Sequence, residues 1–350
     1  MKLQRREVWI DYAKFISIFL VVLFHTNPHL DGYIFDFLKL LRMPAFFLIA
    51  GLLFNIDKWN SFIKFFKHRF ERLIIPYFWF SLVFYVLWLL IGRNMVGEVE
   101  LAINPITPIK EFVLGKPNVV LAPYWFITCL FTIQILFYLL KKYIKSNGII
   151  IIFSICCYLG LLYFDLKDLP WCIDKAFLFL PFYAYANILK EHIHILFKKT
   201  KYAMLLACVS LIILFLTNKF AFSQYINHIL YILSGFCIIP IYVIFCKHLA
   251  SNIKTSYISN IIKYIGENNI ITLALQNYII GFIKILGIAF LATNLLTTDY
   301  YIINIIIAFT TILVSMSVAI VINKFTPFII GKRSKERIKQ KKLIHHHHFD

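Results

Sequence analysis

The chain has 350 residues, of which 61% are hydrophobic and only 15% charged, and its mean hydropathy is +0.77. This composition excludes a soluble globular protein and indicates a polytopic membrane protein. The formal net charge of +19 could indicate nucleic-acid binding. The basic residues are largely confined to alternate connections between apolar runs, however, so no nucleic-acid partner is predicted.

Ten apolar runs are long enough to cross a membrane core, some of them only with tilt or flanking aromatic residues. We therefore predict an all-α fold, a polytopic transmembrane helical bundle of about ten spans. Pro44 and Gly51 predict that the second span is kinked and closely packed. The runs are 8 to 26, 33 to 54, 73 to 92, 123 to 140, 149 to 164, 172 to 189, 202 to 217, 226 to 246, 270 to 292 and 301 to 322.

The distribution of Lys and Arg predicts the orientation of these spans. The even-numbered connections and the two ends hold 26 of the 36 basic residues, and the odd-numbered connections hold five. Because cytoplasmic loops carry the basic excess, both termini are predicted to be cytoplasmic. We assign residues 1–330 to one integral-membrane domain and 331–350 to a basic cytoplasmic tail. The closing HHHHFD at 345–350 resembles a tag remnant, so its histidines are not counted as candidate metal ligands.

The first span carries three ionisable residues, Asp11, Lys14 and His25, in an otherwise apolar helix. At 100° per residue, Lys14 and His25 fall about 20° apart on the helical wheel, and Asp11 lies about 60° from Lys14. An interfacial ion pair and a boundary histidine would explain them separately. Ionisable groups facing lipid cost roughly 2.5–3.5 kcal/mol each, so a shared stripe favours a bundle interior or a wet cavity.

Three arginines are placed where they could meet an anion. Arg42 lies about 13 Å into the second span from Tyr33, a depth at which a guanidinium needs a cavity or a partner. Arg69 and Arg72, at the cytoplasmic start of the third span, are expected to project from one face and bind phosphate oxygens. The lysines of the 55 to 72 loop are interpreted as contacts to anionic membrane lipids.

Candidate substrate contacts lie in the fourth and ninth spans. Trp125 and Phe126 form an aromatic pair that suits either the membrane interface or stacking on a sugar ring. Thr272 and Gln276 share a helical face, and Asn277 follows them. These polar residues fit either substrate binding or hydrogen bonds between helices.

Other regions offer no competing chemistry. The longest outer connection, 93 to 122, either covers an acceptor groove or is an ordinary surface loop. The seven cysteines show no disulfide or metal-ligand spacing, so no metal site is predicted. The sequence contains no phosphate-cradling Gly-rich loop and no serine-elbow motif. Any chemistry must therefore take place inside the bundle.

Four motifs spread over most of the chain carry a family resemblance. They are Asp11 and Lys14 with His25 eleven residues later, the MPAFFLIAG segment at 43 to 51, Arg69 and Arg72 before Pro76 and Tyr77, and Trp125 with Phe126. Each motif is weak alone, but together they are specific. The chain resembles the membrane-bound acyltransferase 3 family, bacterial O-acyltransferases that commonly acetylate sugars of envelope polysaccharides.

Two positions depart from the family pattern. Lys14 stands where the family usually has arginine, which keeps the charge but loses bidentate geometry. Gln276 stands ten residues after Gly266, where the family usually has histidine. The role of that histidine is therefore not carried over to this chain.

The resemblance implies an O-acetyltransferase of the bacterial cytoplasmic membrane, with no permanently bound cofactor. Acetyl-CoA or another acyl-CoA would enter from the cytoplasm, and the acceptor would be a hydroxyl of a carbohydrate such as an exopolysaccharide or O-antigen. His25 would act as general base, since a neutral imidazole can accept a proton at neutral pH. In the alternative mechanism, the acyl group is first transferred to His25 to form an acyl-histidine. From the resemblance together with the residue pattern, we predict catalytic roles for His25, Lys14 and Asp11. Donor binding is predicted for Arg69, Arg72 and Arg42, and substrate binding for Trp125, Gln276 and Asn277.

Two other classes of protein remain open on the sequence. A transporter or flippase for a lipid-linked or other amphipathic substrate would also place charged residues in a bundle. It would predict internally repeated halves with broken helices, and no such repeat relates 1 to 175 with 176 to 350. A non-catalytic regulatory membrane protein would not require His25 to be grouped with Arg69 and Arg72.

Overall fold

The computed structural model describes residues 7–27, 33–92, 103–117, 120, 122–198, 200–253, 256–291 and 301–332. All secondary structure in these ranges is helical, so the predicted all-α fold is confirmed. The predicted tail lies outside the described residues except for Gly331 and Lys332.

We label the α-helices of the described residues in chain order. They are α1 Val8–Thr26, α2 Tyr33–Leu52, α3 Phe62–Arg69, α4 Ile75–Leu87, α5 Ile106–Val113, α6 Trp125–Tyr143, α7 Asn147–Tyr163, α8 Ile173–Lys198, α9 Thr200–Lys219, α10 Gln224–Asn252, α11 Ser256–Glu267, α12 Asn269–Leu291 and α13 Tyr301–Phe325. A π-helical turn, Phe70–Ile74, joins α3 to α4, so that Phe62–Leu90 forms one long apolar helix.

Eight helices of the described chain are long and apolar enough to cross a membrane, judged by length and composition. The other two predicted spans are also helical, but they are too short or too rich in charged residues to be counted with these eight. Helix α2 carries Asp36, Lys39 and Arg42, and α7 has only 17 residues. The polytopic helical bundle is thus confirmed, while the number of ten spans stays a prediction.

Helix α1 lies at the centre of the bundle. In its apolar stretch 61% of the residues are buried, against 11% in α9, which is therefore peripheral. Ala13 and Leu20 pack into an apolar cluster with α2, α6, α8 and α10. Ile18 and Val22 pack into a second cluster with α4, α12 and α13. The polar positions of α1 are consequently surrounded by protein.

Close packing of α2 against α8 depends on Gly51. A Cβ atom on Gly51 would collide with the Tyr183 carbonyl oxygen and lie 2.8 Å from the Cβ atom of Ala186. The Asn187 side chain donates a hydrogen bond of 3.0 Å to the Gly51 carbonyl oxygen. The predicted close approach at Gly51 is therefore confirmed.

The described part of the 93 to 122 connection is bound to the bundle. The Tyr77 hydroxyl donates to the Phe112 carbonyl oxygen over 2.9 Å, and the Thr128 hydroxyl donates to the Gly115 carbonyl oxygen over 2.9 Å. The Trp171 amide donates to the Leu114 carbonyl oxygen over 2.7 Å. Helix α5 is therefore held between the third span and the turn that precedes α8.

Candidate active site

A cavity of about 320 Å³ lies among α1, α2, α6, α12 and the junction of α3 with α4. Most of its lining is apolar. Four basic side chains from three separate spans also line it: Lys14, His25, Arg42 and Arg69. The structure thus brings together residues that are up to 55 positions apart in the sequence.

One face of α1 forms a wall of this cavity. Lys14, Ile18, Val21 and His25 line it at spacings of four, three and four residues, which is the repeat of a single helical face. The rise of about 1.5 Å per residue sets Lys14 and His25 roughly 16 Å apart along the axis. The cavity is therefore elongated, with a basic residue of α1 near each end.

Asp11 lies at a helix contact and does not line the cavity. Its side chain is 4% exposed. A Cβ atom on Gly266 of α11 would lie 3.3 Å from the Asp11 carbonyl oxygen and 3.4 Å from Cβ of Lys14. Of the three residues expected to share a site, Lys14 and His25 line the cavity and Asp11 does not, so their common catalytic role stays a prediction.

Arg42 lies at the same end of the cavity as His25. Its guanidinium carbon is 4.7 Å from the ring centroid of Phe24, the residue before His25. The Nε atom of Arg42 is buried and has no hydrogen-bond partner among the described residues. A positive charge thus stands beside the imidazole with donor capacity left over.

The two arginines of the third span have different surroundings. The Arg69 guanidinium carbon lies 5.2 Å from the Phe65 ring centroid, and its Nε atom has no hydrogen-bond partner among the described residues. Arg72 is exposed and does not line the cavity. The π-helical turn at Phe70–Ile74 alters the helical repeat between them. The cavity is thus lined by Arg69 and not by Arg72, and donor binding by both arginines stays a prediction.

Arg72 lies instead near Lys332, the last described residue of the chain. The Lys332 ammonium donates to the Asn323 side-chain oxygen over 2.7 Å and to the Asn268 side-chain oxygen over 3.2 Å. Burial lowers the pKa of Lys332; nearby Glu267 opposes this shift and Arg72 adds to it. Arg72 and Lys332 thus form a second basic group outside the cavity.

The three expected substrate contacts are also separated. Trp125 lines the cavity, and its ring stacks on Phe179 with a centroid distance of 6.3 Å. Gln276 is fully buried outside the lining, and neither amide atom has a hydrogen-bond partner among the described residues. Asn277 is exposed and does not line the cavity. Of these three residues, only Trp125 is therefore positioned to contact a ligand in the cavity.

Gln134 of α6 was missed by the sequence analysis. It lines the cavity, is 4% exposed, and its Oε1 atom has no hydrogen-bond partner among the described residues. A lone amide in an apolar span usually forms a hydrogen bond to a neighbouring helix, so by itself it does not indicate a ligand site. The available sequence signal was its spacing, because Gln134 follows Leu130 by four residues and Phe126 by eight and so shares their helical face. Leu130 and Phe126 also line the cavity.

The arrangement can bind an anion and move a proton. Arginines with unused donors suit phosphate or a developing oxyanion, and a histidine suits general acid–base chemistry. The described residues contain no cluster of three or more His, Cys, Asp or Glu that could hold a metal ion. Fold and site together define a membrane protein with an internal basic cavity that contains a histidine.

The acyltransferase 3 family, described as an acyltransferase domain, matches residues 7–324, nearly the whole chain. The chain therefore belongs to this family and is a membrane acyltransferase. No curated protein and no solved structure matches it.

Proposed function

We propose that the protein transfers an acyl group, in the simplest case acetyl, from cytoplasmic acyl-CoA to a hydroxyl of a cell-envelope carbohydrate. The observation that carries this proposal is the shared cavity, whose lining includes His25 together with Lys14, Arg42 and Arg69. An acyl-CoA is a long anionic thioester, and an elongated cavity with separated positive charges complements it. Family membership supports acyl transfer, and the cavity supports the choice of donor.

The donor would lie along the cavity with its phosphates near Arg69 and its thioester near His25. Arginine forks match phosphate oxygens, and Arg69 has an unused buried donor. Lys14 lines the same cavity and adds a positive charge without the planar geometry of arginine. Arg72 with Lys332 would meet a more distant phosphate outside the cavity.

The acceptor would enter at the His25 end, where Trp125 offers an aromatic face to a sugar ring. The His25 imidazole takes the proton of the attacking hydroxyl, and the hydroxyl oxygen bonds to the thioester carbonyl carbon. The carbon–sulfur bond then breaks, and the imidazolium returns the proton to the leaving thiolate. Arg42, beside His25, would stabilise the negative charge that develops on the carbonyl oxygen. Gln276 and Asn277 carry no role in this proposal.

The donor side of the cavity must face the cytoplasm, in the bacterial cytoplasmic membrane, with both termini cytoplasmic. The Lys and Arg distribution supports this orientation. In a protein without its native cysteines, a single cysteine placed next to Lys142 should react only with reagents that reach the cytoplasm. Labelling of that cysteine by an impermeant reagent in intact cells would overturn the orientation.

Release of CoA thiol by the purified protein tests the activity itself. Protein in liposomes is given acetyl-CoA and a panel of soluble sugars and polysaccharides, and thiol release and acetylated product are both measured. We expect acceptor-dependent release that is lost in His25→Ala and kept in His192→Ala, a matched change at an exposed histidine. Tight acetyl-CoA binding without thiol release across the panel, or equal activity in both variants, would contradict the proposal.

A further inference from the structure

The proposed function leaves one buried polar group of the cavity without a role. Gln134 is enclosed by protein, and its Oε1 atom lacks a hydrogen-bond partner among the described residues. Native proteins seldom leave a buried polar atom unsatisfied, so a polar group that the structure does not contain is expected there. The surrounding lining from α6 is apolar, namely Phe126, Ile127 and Leu130.

The position of Gln134 along the cavity can be derived from ring contacts. Tyr138, one turn further along α6, stacks on Phe65 with a centroid distance of 4.6 Å. The Phe65 ring in turn contacts the Arg69 guanidinium. Gln134 therefore lies toward the Arg69 side of the cavity, about one turn, or roughly 6 Å of axial rise, from Tyr138.

The other end of the cavity lies in the opposite direction along α6. Phe126, eight residues before Gln134, packs on Phe46 with a centroid distance of 5.2 Å. Phe46 is one turn from Arg42, which contacts Phe24 beside His25. The order along the cavity is therefore Arg69, Gln134, the Phe46–Phe126 pair, then Arg42 with His25.

We propose that Gln134 is a donor-binding residue whose side-chain oxygen accepts a hydrogen bond from an amide N–H of the pantetheine arm of acyl-CoA. This inference rests on the proposed function. A donor with phosphates at Arg69 and a thioester at His25 passes Gln134 with its pantetheine arm, the segment that carries two amide groups. A glutamine amide is an uncharged acceptor that suits an amide N–H. The aromatic pair beyond Gln134 would then contact the apolar end of the arm.

Donor analogues test this contact more directly than substitution alone. In two analogues of acetyl-CoA, one or the other pantetheine amide N–H is replaced by an ester oxygen, which removes the hydrogen-bond donor, keeps the chain length and weakens the adjacent carbonyl acceptor. Their affinities are compared with that of acetyl-CoA by calorimetry on the purified protein in detergent. One hydrogen bond corresponds to roughly a threefold to tenfold loss of affinity, which we expect for one analogue with the wild-type protein.

Substitutions then assign the effect to Gln134. In Gln134→Met, which keeps the length but removes the acceptor, acetyl-CoA and both analogues should bind equally. Gln134→Glu retains an acceptor oxygen and should still discriminate, which covers the case of a Met variant that does not fold. The matched control is Gln224→Met, a change at the exposed start of α10, which should behave as the wild type.

The outcomes separate this inference from the function on which it rests. If wild-type protein binds acetyl-CoA and both ester analogues equally, the role of Gln134 is overturned and the proposed function stands. The same holds if Gln134→Met discriminates as strongly as the wild type. If the wild type binds no acetyl-CoA at all, both the proposed donor and this contact are overturned.

Discussion

Three polar atoms of the cavity differ from a pair of serines at the contact of α9 with α10 in how they are satisfied. At the contact of the peripheral helix α9 with α10, Ser210 of α9 donates to the Ser234 carbonyl oxygen over 3.1 Å, and Ser234 of α10 donates to the Ser210 carbonyl oxygen over 3.3 Å. In the cavity, Arg42 Nε, Arg69 Nε and Gln134 Oε1 have no partner among the described residues. The serines join two helices, whereas the cavity groups keep bonding capacity for a ligand.

This difference explains why polar residues in the spans cannot be interpreted from composition alone. A hydrogen bond between membrane helices contributes about 0.6 kcal/mol on average, so the serine pair is a modest stabilising contact. A buried group left unsatisfied costs about 1–3 kcal/mol, more when it is charged, and a ligand that satisfies it recovers part of that cost. Substitutions in the cavity should therefore affect binding and turnover, and those in the periphery should affect stability.

The largest effect is expected at His25. Changing His25 to Gln should lower turnover by at least about 100-fold, because an amide cannot accept the hydroxyl proton and general-base catalysis contributes about 10²–10⁴-fold. Donor affinity should persist. Turnover is measured by thiol release at saturating donor, with His192→Gln as the control. Near-normal turnover in His25→Gln would show that the proton is taken by another group.

The two arginines of the third span should show unequal effects on the donor. Arg69→Gln should weaken acetyl-CoA binding about tenfold to 100-fold, since a hydrogen bond to a charged group contributes about 1.5–3 kcal/mol. Arg72→Gln, at an exposed position, should change it only about threefold or less. Calorimetric titration of both variants measures the difference. Equal losses would mean that the π-helical turn does not divide their roles.

The rate should also depend on pH through the proposed base. His25 must be neutral to accept a proton, so turnover at saturating substrates should fall as the pH is lowered through the imidazole titration. Below that point the slope should approach tenfold per pH unit. The profile of thiol release against pH measures it, with the circular-dichroism spectrum as a check on folding. A flat profile over the whole acidic range in which the protein stays folded would contradict a histidine base.

The smallest effect on activity is expected at Ser210. Ser210→Ala removes one inter-helix hydrogen bond and should lower stability by roughly 0.5–1 kcal/mol while leaving turnover and donor affinity unchanged. Thermal unfolding in detergent and thiol release measure the two quantities. A loss of turnover without a loss of stability would erase the distinction between periphery and cavity.

Sequence reasoning predicted the fold and part of the site for identifiable reasons. Hydrophobicity and helical repeat are local properties, so the helices and the common face of Lys14 and His25 followed directly from them. The π-helical turn after Arg69 is not encoded by a recognised sequence signal, so the sequence did not show that Arg69 lines the cavity and Arg72 does not. Asp11 lies within 60° of Lys14, yet whether a cavity extends that far depends on packing by α11.

Gln134 and Gln276 illustrate the same limit from opposite sides. Both are buried amides in apolar spans, and both have unpaired amide atoms. Gln276 was selected because of its polar neighbours, and Gln134 was overlooked because it has none. Only tertiary packing decides which of them lines the cavity.

A cryo-electron microscopy map of the purified protein with a non-reactive thioether analogue of acetyl-CoA tests the central claim most directly. The account predicts that the analogue lies inside the cavity, with its pyrophosphate beside Arg69, its pantetheine arm against Gln134 and its thioether next to His25. An analogue bound outside the cavity, or inside it with its phosphates at His25, would contradict the account.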